Sequence, residues 1–401
     1  MINGGRMQNI IVCNISKEKN DLINFFTEEW IKSLKKINDV NVVELDCTSN
    51  ICITSEIKEM LLSNNCNVLF YNNCGFIFND KKECLWGDYG VNVYNFLLDH
   101  PRNYYNALKK APDNMHIICL DEDHVEFIRR FFPNIKDVIY LPDSGVKIEK
   151  SIKPYNQRDI DVMYCGNCRA NADFIVLIDS LPDKGKELYS ETVKYILNDP
   201  SMTAEKAIEN YLIRHNLKHD LETLYDLIIN NKASRIIEDI VRREYKLMIM
   251  HALDMSGVHV DVYGGGWEDK ENPFSDNIRI HERVSPYECH KLIGNAKIDL
   301  SIMPWFKRGS SEKPFAGMLN GAVCVSDTSK YLEDNYIDGV DIMLFDLNHI
   351  EKAVSDIKWL LDNPDEAEMI ALNGYYHALD VDSTDARVKQ ILEIMKSQKY
   401  S

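Results

Sequence analysis

Hydrophobic residues along this chain fall into short runs separated by stretches with helical spacing. In the first part the runs are 9–15, 40–45, 67–71, 91–98, 115–120 and 137–141, each the size of a strand. Segments 21–36, 55–62, 102–109 and 124–131 between them read as helices. Strands alternating with helices predict a parallel sheet covered by helices. Turn chemistry follows at Leu141-Pro142-Asp143-Ser144-Gly145, and the polar segment 153–158 contains Pro154, so an inter-domain linker is expected there.

A second sheet opens at 159–164, but the residues after it carry no clear strand and read as helices broken at Pro182 and Pro200. The last of these helices, 234–253, sets Ile237, Val241, Tyr245, Met248 and Ala252 on one face. Strand-sized runs resume at 259–263, 278–281, 298–302, 322–326 and 342–345, and Ile350, Ala353, Val354, Ile357, Leu360 and Leu361 make an apolar stripe near the end. The pattern predicts an α/β protein of two Rossmann-like domains. One is expected over 1–150, the other over 151–380 with a helical insertion at about 170–250, and a C-terminal helix over 381–401.

Composition narrows the function. A chain of 401 residues exceeds one ordinary core, which suits two domains. No stretch approaches the roughly 18 consecutive apolar residues of a membrane span, and the start, Met1 to Met7, lacks the apolar core of a signal. A cytoplasmic protein with no membrane span is expected. Of eleven cysteines, Cys13, Cys119, Cys165 and Cys324 lie inside apolar runs, as small hydrophobes do in a reducing compartment. Cys165 and Cys168 have C-x-x-C spacing, which raises zinc or redox chemistry, but no second pair stands at metal-site spacing and no metal is assigned. The formal net charge of −17 argues against a nucleic-acid partner.

Ligands of open α/β sheets bind beyond the C-terminal strand ends, so candidate chemistry is sought there. After the 298–302 strand, the loop carries Ser310, Ser311 and Lys313 into a short helix with Pro314 in its first turn and Gly321 closing it. Hydroxyls, a cation and a helix start suit a diphosphate, although a capped helix with a solvated lysine has the same spacing. Gly264-Gly265-Gly266 after another strand would let backbone approach a ligand, or simply turn. Gly166 and Arg169 follow the first strand of the second domain, where Arg169 would meet a phosphate or solvent. Asp99 and His100 end a strand of the first domain and suit acid/base or hydroxyl-binding work, or a helix cap. Asp123 on the next strand end reads as an N-cap.

The order IRIHERVSPYECHKLIGNAKIDLSIMP, SSEKPFAGMLNGAVCVSD and YLEDNYIDGVDIMLFD resembles the C-terminal domain of family-4-like GT-B glycosyltransferases. More narrowly, it is similar to the bacterial group of spore-maturation and flagellin glycosyltransferases. VYGGGW, DIDVMYCGNCR, NFLLDHP, DEDHVEFIRRFFP and Arg387 in STDAR extend the resemblance over nearly the whole chain. It implies a GT-B fold, with two Rossmann-like domains facing a cleft. It places Gly166, Arg169, Ser310, Ser311 and Lys313 on the donor diphosphate, and Arg283 and Val284 on the nucleotide base. Asp99 and His100 would face the transferred sugar or acceptor. The family glutamate that holds the ribose is Ala316 in this chain, with Glu312 a turn away, which leaves ribose contact and stereochemistry open.

The expected reaction is metal-independent transfer of an N-acetylhexosamine or hexose from a UDP-sugar to a hydroxyl on a protein or glycan. No cofactor beyond the donor is called for. Asp121-Glu122-Asp123 and Asp159-Ile160-Asp161 match Asp-x-Asp but read as a helix cap and a strand entry. A nucleotide-sugar epimerase and an inactive sugar-nucleotide-binding partner are the alternatives, separable by turnover without acceptor and by binding without turnover.

Overall fold

The computed structural model describes residues 7–49, 51, 53–63, 65–79, 83–148, 151–168, 172–267 and 273–397. They form two compact units: one from the described residues within 1–146, 285–287 and 379–401, the other from those within 147–284 and 288–378. Each unit is a six-stranded sheet in which all paired strands are parallel.

In the first unit the strands are β1 (Gln8–Asn14), β2 (Val40–Asp46), β3 (Cys66–Tyr71), β4 (Asn92–Leu97), β5 (Met115–Cys119) and β6 (Asp137–Tyr140). Their order is β2-β1-β3-β4-β5-β6. β3 and β5 are buried at every position, as strands covered on both faces must be. The helix Asp21–Leu34 starts where the Asn20 side chain accepts from the backbone N–H groups of Leu22 and Ile23. Its apolar face buries Phe26 and Trp30, and the Trp30 ring meets Tyr71 and Phe96 edge-on at 5.7 and 5.6 Å. Burial of each such ring is worth about 1.5–3 kcal/mol.

The helix Thr384–Ser397 belongs to this same unit. Lys36 pairs with Asp385 at 2.7 Å, and the buried Arg387 binds the Asp382 carboxylate and the Asp143 carbonyl, the latter at 2.9 Å. Removing one partner of such a buried pair costs about 3–5 kcal/mol, because the other charge is left uncompensated.

In the second unit β7 (Ile160–Cys165), β8 (Val260–Tyr263), β9 (Ile278–His281), β10 (Ala296–Ser301), β11 (Val323–Asp327) and β12 (Met343–Phe345) run in the order β12-β11-β10-β7-β8-β9. The direction of winding reverses between β7 and β10, so the loops after these two strands flank the crevice where such folds bind ligands. Residues 153–158, read from sequence as linker, pack into this unit. Arg158 is buried and donates to the Ala296 carbonyl at 2.8 Å.

Between β7 and β8 lie the insertion helices, ending in the long helix Ala233–Met255. Its buried stripe is Ile237, Val241, Tyr245, Ile249 and Leu253; Met248, assigned to that face from the sequence, is 46% exposed. Each step of four turns the buried face by about 40°, so by Tyr245 and Ile249 it has moved round past the side of the helix on which Met248 lies.

Candidate functional site

The loops after β7 and β8 are joined into one structure. Gly166 N–H donates to the Tyr263 carbonyl and Cys168 N–H to the Gly265 carbonyl, both at 2.9 Å. The Asn167 side chain accepts from Gly265 N–H at 2.9 Å, and Trp267 Nε1 donates to the Gly166 carbonyl at 2.8 Å. This approach needs glycine. At Gly264, where φ is +150°, a Cβ would stand 2.4 Å from the Gly166 carbonyl oxygen. At Gly166 it would meet the Tyr164 hydroxyl at 2.9 Å and Lys313 Nζ at 3.1 Å.

Three cations converge on the carbonyls of this loop. Lys313, from the far side of the switch point, donates to the Cys165 carbonyl at 2.8 Å. Lys246 donates to the Asn167 carbonyl at 2.7 Å, and Arg243 to the Cys168 carbonyl at 3.4 Å. Arg242 stands 3.7 Å above the Trp305 ring, with Lys246 Nζ 5.5 Å from the same ring. Among the described residues none of Lys246, Arg243 and Lys313 has a carboxylate within ion-pair distance. Carbonyls supply only partial charge, so these three side chains are not neutralised by the groups they hydrogen-bond.

The charge is held at a cost. Lys246 is 5% exposed, and burial, with Lys313 and Arg242 beside it, pushes its amine down to about 7. Lys313 goes the other way: burial opposes its charge, but Tyr164, Cys165, Glu312 and Asp299 outweigh burial and raise it. Asp299 lies under the helix Lys313–Leu319, where burial pushes its carboxyl up to about 7. A Cβ at Gly317 would reach it at 2.7 Å.

The other sequence candidates fall as follows. Ser310 and Ser311 are buried, with hydroxyls used inside the loop: Ser310 donates to the Ser311 carbonyl at 3.0 Å and Ser311 to the Met303 sulfur at 2.9 Å. This loop can therefore offer a ligand backbone N–H groups rather than those hydroxyls. Gly265 is exposed on the stitched loop. Arg283 and Val284 follow β9, two strands out from β7, with Arg283 exposed and Val284 half-buried. Arg169 lies outside the described residues. Ala316 packs with Met163, Ile293, Ala296 and Ala322 in an apolar cluster, so its side chain faces the core.

In the first unit Asp99 and His100 are adjacent in sequence but serve different partners. The Asp99 carboxylate is exposed and accepts from the Tyr104 hydroxyl at 2.7 Å and the Asn72 amide at 3.2 Å. His100 Nδ1 accepts from Arg102 N–H at 3.2 Å, capping the short turn Pro101–Tyr104. Its ring packs edge-on against His124 and Phe127 at 4.5 and 4.7 Å. Burial, then Arg102 and His124, hold its pKa well below the usual 6.5. With Nδ1 accepting, the proton of the neutral ring sits on Nε2, which suits a hydrogen-bond donor better than a base. Beside Asp99, Asn72 and Asn73 adopt φ values of 45° and 61°, two successive left-handed residues that sequence reading passed over.

Sequence reading also missed Arg242, Arg243 and Lys246. The visible signal was three cations in five residues of a helix, with 242 and 246 a destabilising like-charge pair at i,i+4. Elsewhere among the described residues, Glu187, Glu191 and His215 bring metal-capable atoms within 4.8 Å of one another. There Glu191 is already engaged by His215 at 3.1 Å and by the Tyr195 hydroxyl at 2.6 Å.

Residues 242–393 match the Glycosyl transferase-like family, a segment that opens on Arg242 itself. No curated protein sequence matches the chain. An α-glucosyltransferase solved with UDP and a 13-mer DNA containing an HMU base aligns over 98% of this chain and 100% of its own. It does so at 12% identity and a TM-score of 0.56. T4 phage BGT, solved with its UDP-glucose substrate, aligns over 96% and 98% at 9% identity and a TM-score of 0.51. TarM aligns over 84% of this chain at 12% identity and a TM-score of 0.44; the chain spans 56% of that protein's length. The two-sheet architecture is that of GT-B structures, and the segment 242–393 is similar to the Glycosyl transferase-like family.

Proposed function

We propose that the protein moves a sugar, an N-acetylhexosamine or hexose, from a UDP-sugar to a hydroxyl on a protein or glycan. The carrying observation is that Lys313, Lys246 and Arg243 converge on the carbonyls of the loop after β7, beside the switch point of the second sheet, with no carboxylate at ion-pair distance among the described residues. Lys313, Lys246 and Arg243, together with Arg169, would hold the diphosphate and stabilise the charge that develops as the glycosidic bond breaks. Gly166, Gly265 and the 310–311 backbone would lie along it, with Arg283 and Val284 toward the base. The first unit would supply the acceptor side through Asp99 and His100. UDP as the nucleotude carrier is supported by the ligands of the two GT-B structures with TM-scores above 0.5. The charge of −17 weighs against the DNA acceptor of one of them. Membership of the spore-maturation and flagellin group, a cytoplasmic site and a retaining course complete the reading.

Titration calorimetry with UDP on the wild type and Lys313→Ala tests it. Loss of one charge-assisted hydrogen bond should weaken UDP by about 1.5–3 kcal/mol, roughly 10- to 100-fold. Equal affinity in the two proteins would remove Lys313 from the donor site. Binding of UDP without turnover of any donor would favour the inactive-partner reading, which the buried Ala316 at the family's ribose position supports.

A further inference from the structure

The loop after β10 makes a tight turn around Trp305. Met303 N–H donates to the Asp327 carboxylate at 2.5 Å, and Phe306 N–H donates to the Met303 carbonyl at 3.0 Å. Lys307 then donates to the Pro200 carbonyl in the helical insertion, and its own carbonyl accepts from Lys330 N–H at 3.0 Å. The half-buried Trp305 meets the last helix of the insertion, Ala233–Met255. The Arg242 guanidinium stands 3.7 Å from the centre of its ring and Lys246 Nζ 5.5 Å from it. One helix thus touches both loops of the switch point, that after β7 through Lys246 and that after β10 through Arg242. Arg242 has carboxylates on its own helix, Glu238 at 3.8 Å and Asp239 at 3.7 Å. Lys246 is buried, and it is faced by Lys313 from the β10 side, Arg242 and Asp239 from its own helix and Cys168 from the β7 loop. A carboxylate salt-bridged to such an ammonium would hold it in place but cancel the charge that an anion needs. The negative face of an indole attracts a cation without neutralising it, and more strongly where water is excluded.

We propose that Trp305 is a positioning residue of the anion site, an assignment that rests on the donor-site reading above. Its ring fixes Arg242 and Lys246 by cation–π contact, and the helical insertion is thereby part of the diphosphate-binding machinery. A lysine ammonium rides on a flexible four-carbon stem, and one carbonyl alone restrains it weakly. Between the Asn167 carbonyl and the Trp305 ring, Lys246 is held from two sides and keeps its charge for the ligand. Trp305 acts through these two cations and takes no part in bond breaking. The contact of Lys307 with Pro200 ties the same loop to the insertion at a second point, so a change of the ring alone leaves the loop tethered.

Two variants of the full chain separate the ring's charge attraction from its bulk. Trp305→Phe keeps an aromatic face, whereas Trp305→Leu keeps only apolar cover; Trp305→Met takes the place of the latter if melting curves show that it does not fold. In titration calorimetry with UDP at pH 6.5, Trp305→Leu should bind about tenfold more weakly than the wild type, and Trp305→Phe within about threefold of it. A second readout uses no ligand. In protein carrying carbon-13 lysine, NMR titration follows the Lys246 amine, with Lys246→Met identifying its resonance. Its midpoint should move by roughly half a pH unit or more in Trp305→Leu and return in Trp305→Phe. Wild-type affinity and an unmoved lysine midpoint in Trp305→Leu overturn the assignment. Equal losses in the Phe and Leu variants also overturn it, since the ring would then be filler. If the wild type itself fails to bind UDP, the donor-site reading falls, and the lysine midpoints alone then decide the role of Trp305.

Discussion

Replacing Lys246 by methionine should stabilise the free protein and weaken its ligand, two effects of opposite sign from one buried amine. The amine is pushed from an ordinary 10.5 to about 7. Where it is charged in both folded and unfolded chains, that displacement costs the folded state on the order of 5 kcal/mol. Methionine removes this cost but orphans the Asn167 carbonyl, a loss of about 1–3 kcal/mol. A net gain of a few kcal/mol is therefore expected at pH 6.5. The pH dependence fixes the sign. The folded value lies below the unfolded one, so between about 7 and 10.5 the unfolded chain binds the extra proton. Wild-type stability should then rise by about 1.4 kcal/mol per pH unit across that window. The advantage of the variant is full below pH 7, shrinks as pH rises, and is gone or reversed by about pH 10. A bound diphosphate favours the ammonium form, so wild-type UDP affinity should be full below pH 7 and fall toward tenfold per unit above it. The variant should bind about 10- to 100-fold more weakly at pH 6.5 and show no such slope. Urea unfolding at pH 6.5 and 9, with titration calorimetry in parallel, measures both. A variant less stable than wild type at pH 6.5 that also binds UDP equally well would refute the buried-cation argument.

His100→Ala should leave UDP affinity intact while lowering transfer per folded molecule at least tenfold, or about 1.4 kcal/mol of transition-state stabilisation. Unchanged turnover with a lowered melting temperature would reduce His100 to the cap seen at Arg102. Since its folded value lies well below 6.5, its share of stability should be full above about pH 6.5 and be lost as pH falls below, with no inflection in the rate from this ring near neutrality. Transfer should persist in excess EDTA, because Lys246, Arg243 and Lys313 provide the positive charge; a loss of activity restored by manganese would contradict that.

The strands and most helices of both units were legible in the sequence, because local alternation of apolar and polar residues records which positions a covered sheet buries. So was the position of Lys313 in the fold, after a strand and at the start of a helix with Pro314 in its first turn. The pairing of Lys313 with Cys165 was not legible, since those residues meet only because the second sheet reverses direction between β7 and β10. Strand order leaves no mark in periodicity. The same holds for Lys246: beside Tyr245 on a helix it reads as solvent-facing, and only the docking of that helix on the β7 loop buries it. C-x-x-C spacing likewise says nothing of Arg243, which the docking of its helix brings to the Cys168 sulfur. The sequence by itself determined which residues form each element; which charges meet was decided by the tertiary structure, because those encounters join residues far apart in the chain and carry no local period.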